Sequence, residues 1–113
     1  MKIKISELCE KMQGQMINTP DFDEITVENG YMCDLLSFVI GRVKENSVWI
    51  TVIGNLNTIA VAVLAEIPCI ILAENSELDD DAKIRAEQND IAVIKTSLNS
   101  FDAAVILGKV LGL

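Results

Sequence analysis

Small, amide and hydroxyl side chains follow the most apolar segments of the chain. Two of these segments, residues 48–53 and 91–95, lead directly into turns rich in such side chains. Where a turn of this kind begins a helix, the free backbone N–H groups and the positive end of the helix dipole can hold a phosphate or a carboxylate. We therefore predict a site for a small anionic ligand, formed by Gly54, Asn55, Asn57, Thr96 and Ser97.

The same residues also have a purely structural interpretation. Asn57 and Ser100 are good helix N-caps, and Gly54 suits a turn, whether or not a ligand binds. Capping without ligand binding therefore stays open as the alternative.

Motifs for several other kinds of chemistry are missing. No Gly-Lys-Ser/Thr run and no Gly-x-Gly-x-x-Gly run occurs, which argues against a P-loop or a Rossmann nucleotide site. A phosphate-accepting signalling receiver needs aspartates at its strand ends, but residues 54–55 and 74–75 are Gly-Asn and Glu-Asn. The carboxylates of Asp79, Asp80 and Asp81 diverge from a helix start instead of converging on a metal. We predict no catalytic residue, no metal and no cofactor, and hence a protein that is not an enzyme.

Cys9, Cys33 and Cys69 are widely spaced in a chain that has no histidine. Zinc sites and disulfide frameworks need clustered or paired ligands, so we expect neither. We interpret the cysteines as small buried hydrophobic residues in a reducing cytoplasm, with a reactive thiol as the alternative. The absence of histidine also removes the usual general base.

The chain is strongly acidic. Among its 113 residues, 17 are acidic and 9 are basic, giving a net charge of −8, whereas nucleic-acid binding depends on Lys and Arg. Residues 66–102 hold nine acidic and three basic residues, which predicts an acidic surface. Residues 48–65 carry no charge but have a glycine and two amides at their centre, so we expect a strand, a turn and a helix there. We expect a cytoplasmic protein that binds neither nucleic acid nor membranes.

Apolar periodicity predicts the elements that position these residues. We predict helices over residues 6–13, 31–43, 57–67, 80–89 and 100–111, and strands over residues 24–28, 48–53, 69–73 and 91–95. Ser6 and Asn29 are the expected caps of the first two helices, Gly14 is the expected stop of the first, and residues 18–21 are a turn. Residues 57–67 also fit a strand, but Asn57 and Pro68 favour a helix.

The last three predicted strands are continuous apolar runs, which is typical of a parallel sheet covered on both faces. Each is followed by a helix after a short connection, so we expect right-handed crossovers. The predicted fold class is α/β: a three-layer domain with a mainly parallel sheet and helices on both faces, spanning residues 1–113 as one domain.

Three segments carry a family resemblance. The first segment, residues 31–39 (YMCDLLSFV), resembles the Ser-Asp-Leu-Leu-Ser-Asp-Val signature of DRTGG-domain proteins. The second, residues 48–57 (VWITVIGNLN), resembles their central strand and polar turn. The third, residues 91–96 (IAVIKT) with Phe101, resembles their closing strand and helix. The resemblance extends over nearly the whole chain, to Gly112. The Asp-Arg-Thr-Gly-Gly run of that family is absent, and Ile53-Gly54 stands where Thr-Gly is usual.

The resemblance implies an accessory module. Related domains lie between the cystathionine-synthase-type domains of some inorganic pyrophosphatases and within phosphotransacetylases, and a similar fold forms the N-terminal part of HPr kinase. We therefore expect a non-catalytic regulatory module, a homodimer that binds a small anionic ligand such as an adenine nucleotide.

The alternative is an interaction subunit of a redox or kinase-like signalling system that has no ligand. Such a protein would dock its partner through an apolar patch with an acidic rim. Exposed apolar side chains on residues 31–43 or near the C-terminus would favour this alternative.

Overall fold

Seven strands and five helices lie along residues 1–18 and 25–113, the residues that the computed structural model of the chain describes. In chain order the strands are β1 (Ile3–Lys4), β2 (Gln15–Met16), β3 (Thr26–Val27), β4 (Asn29–Met32), β5 (Ser47–Thr51), β6 (Cys69–Leu72) and β7 (Ala92–Lys95). The helices are α1 (Ile5–Lys11), α2 (Leu36–Arg42), α3 (Leu56–Leu64), α4 (Asp80–Gln88) and α5 (Ser100–Val110).

A five-stranded sheet in the order β2-β7-β6-β5-β4 forms the centre of the fold. β4, β5, β6 and β7 run parallel to one another, and β2 pairs antiparallel with β7. Every residue of β5 and β6 is buried, as expected for strands covered on both faces. The predicted fold class, a mainly parallel sheet with helices on both faces, is confirmed.

Two apolar cores lie on opposite faces of this sheet. On one face, Ile50 belongs to the same core as Leu8 of α1 and Leu107 of α5. On the other face, Trp49 belongs to a core with Ile59 of α3 and with residues of α2 and α4. Because side chains alternate along a strand, one continuous apolar run contributes to both cores at once.

Most of the elements predicted from periodicity are confirmed. The predicted helices at residues 6–13, 80–89 and 100–111 are α1, α4 and α5, and the predicted strands at residues 48–53, 69–73 and 91–95 are β5, β6 and β7. Residues 57–67 contain a helix rather than a strand, and β3 lies within the predicted strand at residues 24–28. Of the turn predicted at residues 18–21, residues 19–21 lie outside the described residues.

Asn18 is a buried structural residue beside β2. Its Nδ2 donates to the carbonyl oxygen of Ile91 over 2.5 Å, and its Oδ1 accepts from the N–H of Val93 over 2.9 Å. These two bonds attach the segment that follows β2 to the strand β7 and satisfy an amide that is 1% exposed.

The ends of α1 differ from the prediction. Lys4 occupies the N-cap position without a side-chain hydrogen bond, so Ser6 does not cap the helix. The left-handed residue after the helix is Gln13, with φ of 53°, and not Gly14. Gly14 is needed for space instead, because a Cβ there would lie 2.6 Å from Cγ2 of Ile94.

The prediction of a single helix over residues 31–43 is wrong in its first part. β4 occupies Asn29–Met32, and α2 begins only at Leu36. Asn29 does not cap a helix; its Nδ2 donates to the carbonyl oxygen of Glu45 over 2.8 Å. Met32, Leu35 and Ile40, three apolar residues of the segment predicted as one helix, are 50%, 53% and 48% exposed.

Hydrogen bonds to β5 explain why this segment is extended. The indole Nε1 of Trp49 donates to the carbonyl oxygen of Cys33 over 2.8 Å. Asp34 Oδ1 accepts from Thr51 Oγ1 over 2.7 Å and from the N–H of Val52 over 3.1 Å. Pairing with a buried neighbouring strand therefore overrides a helical apolar pattern that is visible in the local sequence.

Candidate functional site

The structure brings the loops after β5, β6 and β7 together at one edge of the sheet, because the carboxyl ends of parallel strands meet there. The N–H of Glu74 donates to the carbonyl oxygen of Leu98 over 2.8 Å, and that of Asn75 to Thr96 over 2.9 Å. Glu74 and Asn75 both have left-handed backbones, with φ of 60° and 57°. Loop-to-loop hydrogen bonds thus hold a backbone conformation that non-glycine residues seldom adopt.

Asn55, and not Asn57, is the cap of α3. The Oδ1 of Asn55 accepts from the N–H of Thr58 over 3.0 Å and from its hydroxyl over 3.3 Å. Asn57 lies in the first turn of the helix and is exposed. The predicted capping role therefore belongs to Asn55, two residues earlier.

Thr96 and Ser97 stand at the end of β7 in different surroundings. Thr96 is 2% exposed; its hydroxyl donates to the carbonyl oxygen of Met12 over 2.8 Å and accepts from the N–H of Leu98 over 3.2 Å. Ser97 is exposed. Thr96 connects α1 to the end of β7, whereas Ser97 faces solvent.

Gly54 is covered by the chain itself. A Cβ at this position would lie 2.1 Å from the carbonyl oxygen of Glu77 and 3.0 Å from Cα of Leu78. The N–H of Asp79 donates to the carbonyl oxygen of Gly54 over 2.8 Å. The close approach that glycine permits is therefore used by the loop after β6, which lies directly against it.

The N-terminus of α5 receives side chains of the same chain. Asn99 Oδ1 accepts from the N–H of Asp102 over 2.8 Å, so Asn99 is the cap that had been predicted at Ser100. A carboxylate oxygen of Glu74 accepts from the N–H of Ser100 over 2.9 Å. A carboxylate at this position interacts favourably with the helix dipole, as an anionic ligand would.

The electrostatics of this edge are acidic. Glu74, Glu77 and Asp79 are exposed along the loop after β6. Lys95 forms an ion pair with Glu77, and this is the one ion pair found among residues 1–18 and 25–113. An anion that approached the strand-end loops would therefore meet several carboxylates near a lysine that is already paired.

Carboxylates and thiols are not arranged for metal chemistry in the described part of the chain. No group of three His, Cys, Asp or Glu side chains there is placed to hold a metal ion. Asp81 instead accepts from the N–H of Ala82 over 2.8 Å at the start of α4.

The three cysteines are free thiols in two kinds of surroundings. Cys9 and Cys69 are buried, as predicted, whereas Cys33 is half-buried. Burial raises the pKa of the Cys9 thiol, and burial together with the neighbouring Cys9 raises that of Cys69 far above its ordinary value. Since the thiolate is the reactive form, these two residues act as apolar core side chains.

A second open region lies at the β4 edge of the sheet. The N–H of Cys33 donates to the carbonyl oxygen of Ile50, and the N–H of Asn29 donates to the carbonyl oxygen of Asn46, the residue before β5. Between Asn29 and Cys33, the backbone N–H and C=O groups of successive residues point alternately toward β5 and away from it. The backbone groups of Gly30 and Met32 point away from β5, and the described part of the chain has no strand on that side. β4 is thus an edge strand with open hydrogen-bonding groups.

An apolar cavity lies against this edge strand. Its volume is about 160 Å³, and its lining includes Gly30, Met32, Ile50, Leu107, Leu111 and Leu113. Met32 and Leu113 are 50% and 82% exposed. We refer to the outward side of β4 together with this cavity as the β4 edge surface. Sequence reasoning did not find it, because residues 31–43 were predicted as one helix.

Further apolar side chains follow β4 along the chain. Leu35 is 53% exposed and Phe38 is 40% exposed. The guanidinium of Arg42 lies over the Phe38 ring, with its carbon 3.9 Å from the ring centroid, a cation–π arrangement. Exposed apolar side chains at residues 32–40 and at Leu113 were the features expected of an interaction protein.

Comparison with models of protein families shows to which family the chain belongs. The model of the DRTGG domain matches residues 7–110. The chain belongs to the DRTGG family. The resemblance inferred from residues 31–39, 48–57 and 91–96 is thereby confirmed, although the run that gives the family its name is absent. No protein with a curated description matches the chain significantly.

A solved structure containing a DRTGG domain has the same fold. It is the regulatory region of a Clostridium perfringens pyrophosphatase, with its CBS and DRTGG domains, in complex with the activator diadenosine tetraphosphate. The TM-score is 0.77 at 13% sequence identity, over 92% of this chain and 45% of that one. This DRTGG chain therefore spans less than half of the similar structure. Within its described residues, no helix combines the length and apolar character required to cross a bilayer.

The packing of Gly54 against Glu77 gives a testable prediction. We expect Gly54→Ala to destabilise the protein by about 2 kcal/mol, because the added methyl group overpacks against a backbone carbonyl. Gly41→Ala is the matched control: a Cβ there meets nothing within 4 Å, and in the last turn of α2 it should stabilise by at most about 0.5 kcal/mol. Urea unfolding measures both changes. A Gly54→Ala midpoint equal to that of the unmodified protein would contradict the packing described.

Proposed function

We propose that this chain is a non-catalytic regulatory module that acts as a homodimer, with the β4 edge surface at the dimer interface. One observation carries the proposal: open backbone groups at Gly30 and Met32 lie beside an apolar cavity on the same edge. Free edge strands of this kind favour pairing with another chain.

A two-fold axis satisfies this edge without any other partner. If two copies place β4 side by side and antiparallel, the same residues donate and accept on both chains, as in any isologous interface. The two sheets then become one continuous sheet, and the side chains of Met32 and Leu113 can be buried at the dimer interface. Removal of apolar surface from water stabilises such a contact by about 25 cal/mol per Å².

The regulatory part of the proposal is supported by the family. The similar DRTGG domain of Clostridium perfringens lies within the regulatory region of a pyrophosphatase. A module of this kind supplies a binding surface, and it regulates another protein or domain. Docking of the dimer to a redox or kinase-like signalling protein, without a ligand, is the version of this proposal that the exposed residues Leu35 and Phe38 favour.

The interface is tested by placing a charge at its centre. We expect the unmodified protein to sediment as a dimer at micromolar concentration, and Met32→Lys to sediment as a monomer, since a lysine on an edge strand disfavours pairing with another strand. Ile84→Lys is the control, because Ile84 is 58% exposed on α4, away from β4. Analytical ultracentrifugation checks the mass, and circular dichroism checks that both variants are folded.

The outcomes separate the possibilities. An unmodified protein that stays monomeric over the whole concentration range contradicts the homodimer. If the Met32→Lys protein remains dimeric, the dimer interface lies on another surface.

Adenine-nucleotide binding at the strand-end loops is the second candidate function. It is favoured by the complex of the Clostridium perfringens regulatory region with diadenosine tetraphosphate, and by the exposure of Asn57 in the first turn of α3 and of Ser97 after β7. Gly54, Asn55 and Thr96 lie at the same strand ends, but each has a backbone group bonded within the chain, so the ligand contacts would come from Asn57 and Ser97. The negative charges of the Glu74 and Glu77 carboxylates disfavour binding of an anionic nucleotide at these loops.

Thermal unfolding with diadenosine tetraphosphate tests this candidate. At about 100 times the dissociation constant, a bound ligand adds about 2.7 kcal/mol to the free energy of unfolding and raises the midpoint by several degrees. Asn57→Ala should lose this rise and Asn89→Ala, an exposed amide after α4, should keep it. Because Asn55 is the cap, Asn57→Ala leaves α3 intact. Equal rises in both variants would remove the strand-end loops as the site.

A further inference from the structure

A cavity at the N-terminal segment of the chain has the opposite charge from the rest of the protein. It has a volume of about 380 Å³ and is lined by Lys2, Lys11 and Lys109 together with Glu7. We propose that this lysine cavity binds a small molecule that carries several phosphate groups, of the size and class of a nucleoside polyphosphate. The site is distinct from the strand-end residues and does not depend on the dimer interface.

The three lysines line this cavity from separate elements. Lys2 precedes β1, Lys11 ends α1 and Lys109 lies in the last turn of α5. Each ammonium group can turn on a flexible stem, so the three can contact different oxygens of one polyphosphate.

The charges of the described residues leave these lysines available. The ion pair found in that part of the chain joins Lys95 and Glu77, so none of the three cavity lysines is paired there. Glu7 is the one carboxylate among the lining residues. In a chain of net charge −8, three of nine basic side chains around one cavity make a local positive field that an anion would follow.

The cavity also has an apolar side. Ile3, which is 5% exposed, lines it together with Met1 and Val110. Its volume lies within the range of about 300–1,000 Å³ that is usual for small-molecule sites, which combine apolar walls with a few polar groups. An apolar wall next to ammonium groups suits a ligand with a flat, weakly polar ring at one end and phosphates at the other.

Isothermal titration with ATP and with sodium tripolyphosphate tests the proposal on the full chain. The buffer contains about 0.15 M salt, where the screening length is about 8 Å, so that weak long-range attraction is suppressed. We expect saturable binding of both probes and none of adenosine. Lys11→Gln and Lys109→Gln should each weaken binding about fivefold, which is the upper range for one exposed ion pair.

Two control variants make the result specific. Lys83→Gln removes a lysine from α4, outside the cavity, and Asn57→Ala alters the strand-end loops; neither should change the dissociation constant. All four substituted side chains are exposed, so folding is expected to survive. Absence of saturable binding, equal weakening by Lys83→Gln, or weakening by Asn57→Ala alone would each overturn the proposal. The last result would support the strand-end site instead.

Discussion

Burial of the central parallel strands on both faces is the constraint on which the rest of the structure depends. β5 and β6 are buried along their whole length, so helices must cover both faces and only the strand ends and the sheet edges stay open. The two edges are unlike. β2 is two residues long and is followed by the buried amide of Asn18, whereas β4 is four residues long and has open backbone groups. An edge of the second kind needs a partner or a cover.

The strand-end loops, where an open α/β sheet usually binds its ligand, are occupied by contacts within the chain. Glu77 lies against Gly54, Glu74 reaches the N-terminus of α5, and Lys95 pairs with Glu77. The N-terminus of α5, where backbone geometry favours an anion, has here received the carboxylate of Glu74. Open cavities lie elsewhere, and α5 contributes to two of them: Leu107 borders the β4 edge surface, while Lys109 borders the lysine cavity. The end of α5 therefore connects the two surfaces on which the proposals rest.

The parts of the fold that were predictable are those in which one physical signal dominates. Continuous apolar runs identified β5, β6 and β7, because a strand buried on both faces can hardly be polar. The caps of α3 and α5 were predicted two residues and one residue away from their true positions. Asn55 and Asn57 are equally good candidates until the backbone places one of them opposite the N–H of Thr58.

The β4 edge was not predictable from the local pattern. Its extended shape depends on Trp49 and Thr51, which lie more than 15 positions further along the chain, and its position at the edge depends on the order of all five strands. Hydrogen bonds join the loops that carry the predicted strand-end site, and ligand binding there stays a prediction. The sequence pattern does not predict that these loops pack against each other. This packing depends on the close approach of the Glu77 carbonyl oxygen to Gly54.

Amide hydrogen exchange at β4, followed by NMR at two protein concentrations, tests the central claim most directly. The N–H groups of Gly30 and Met32 point outward, while that of Tyr31 faces β5 and serves as an internal reference. The dimer predicts slow exchange at Gly30 and Met32 in concentrated protein and fast exchange after dilution, with Tyr31 slow in both. Fast exchange of Gly30 and Met32 at every concentration would contradict the account.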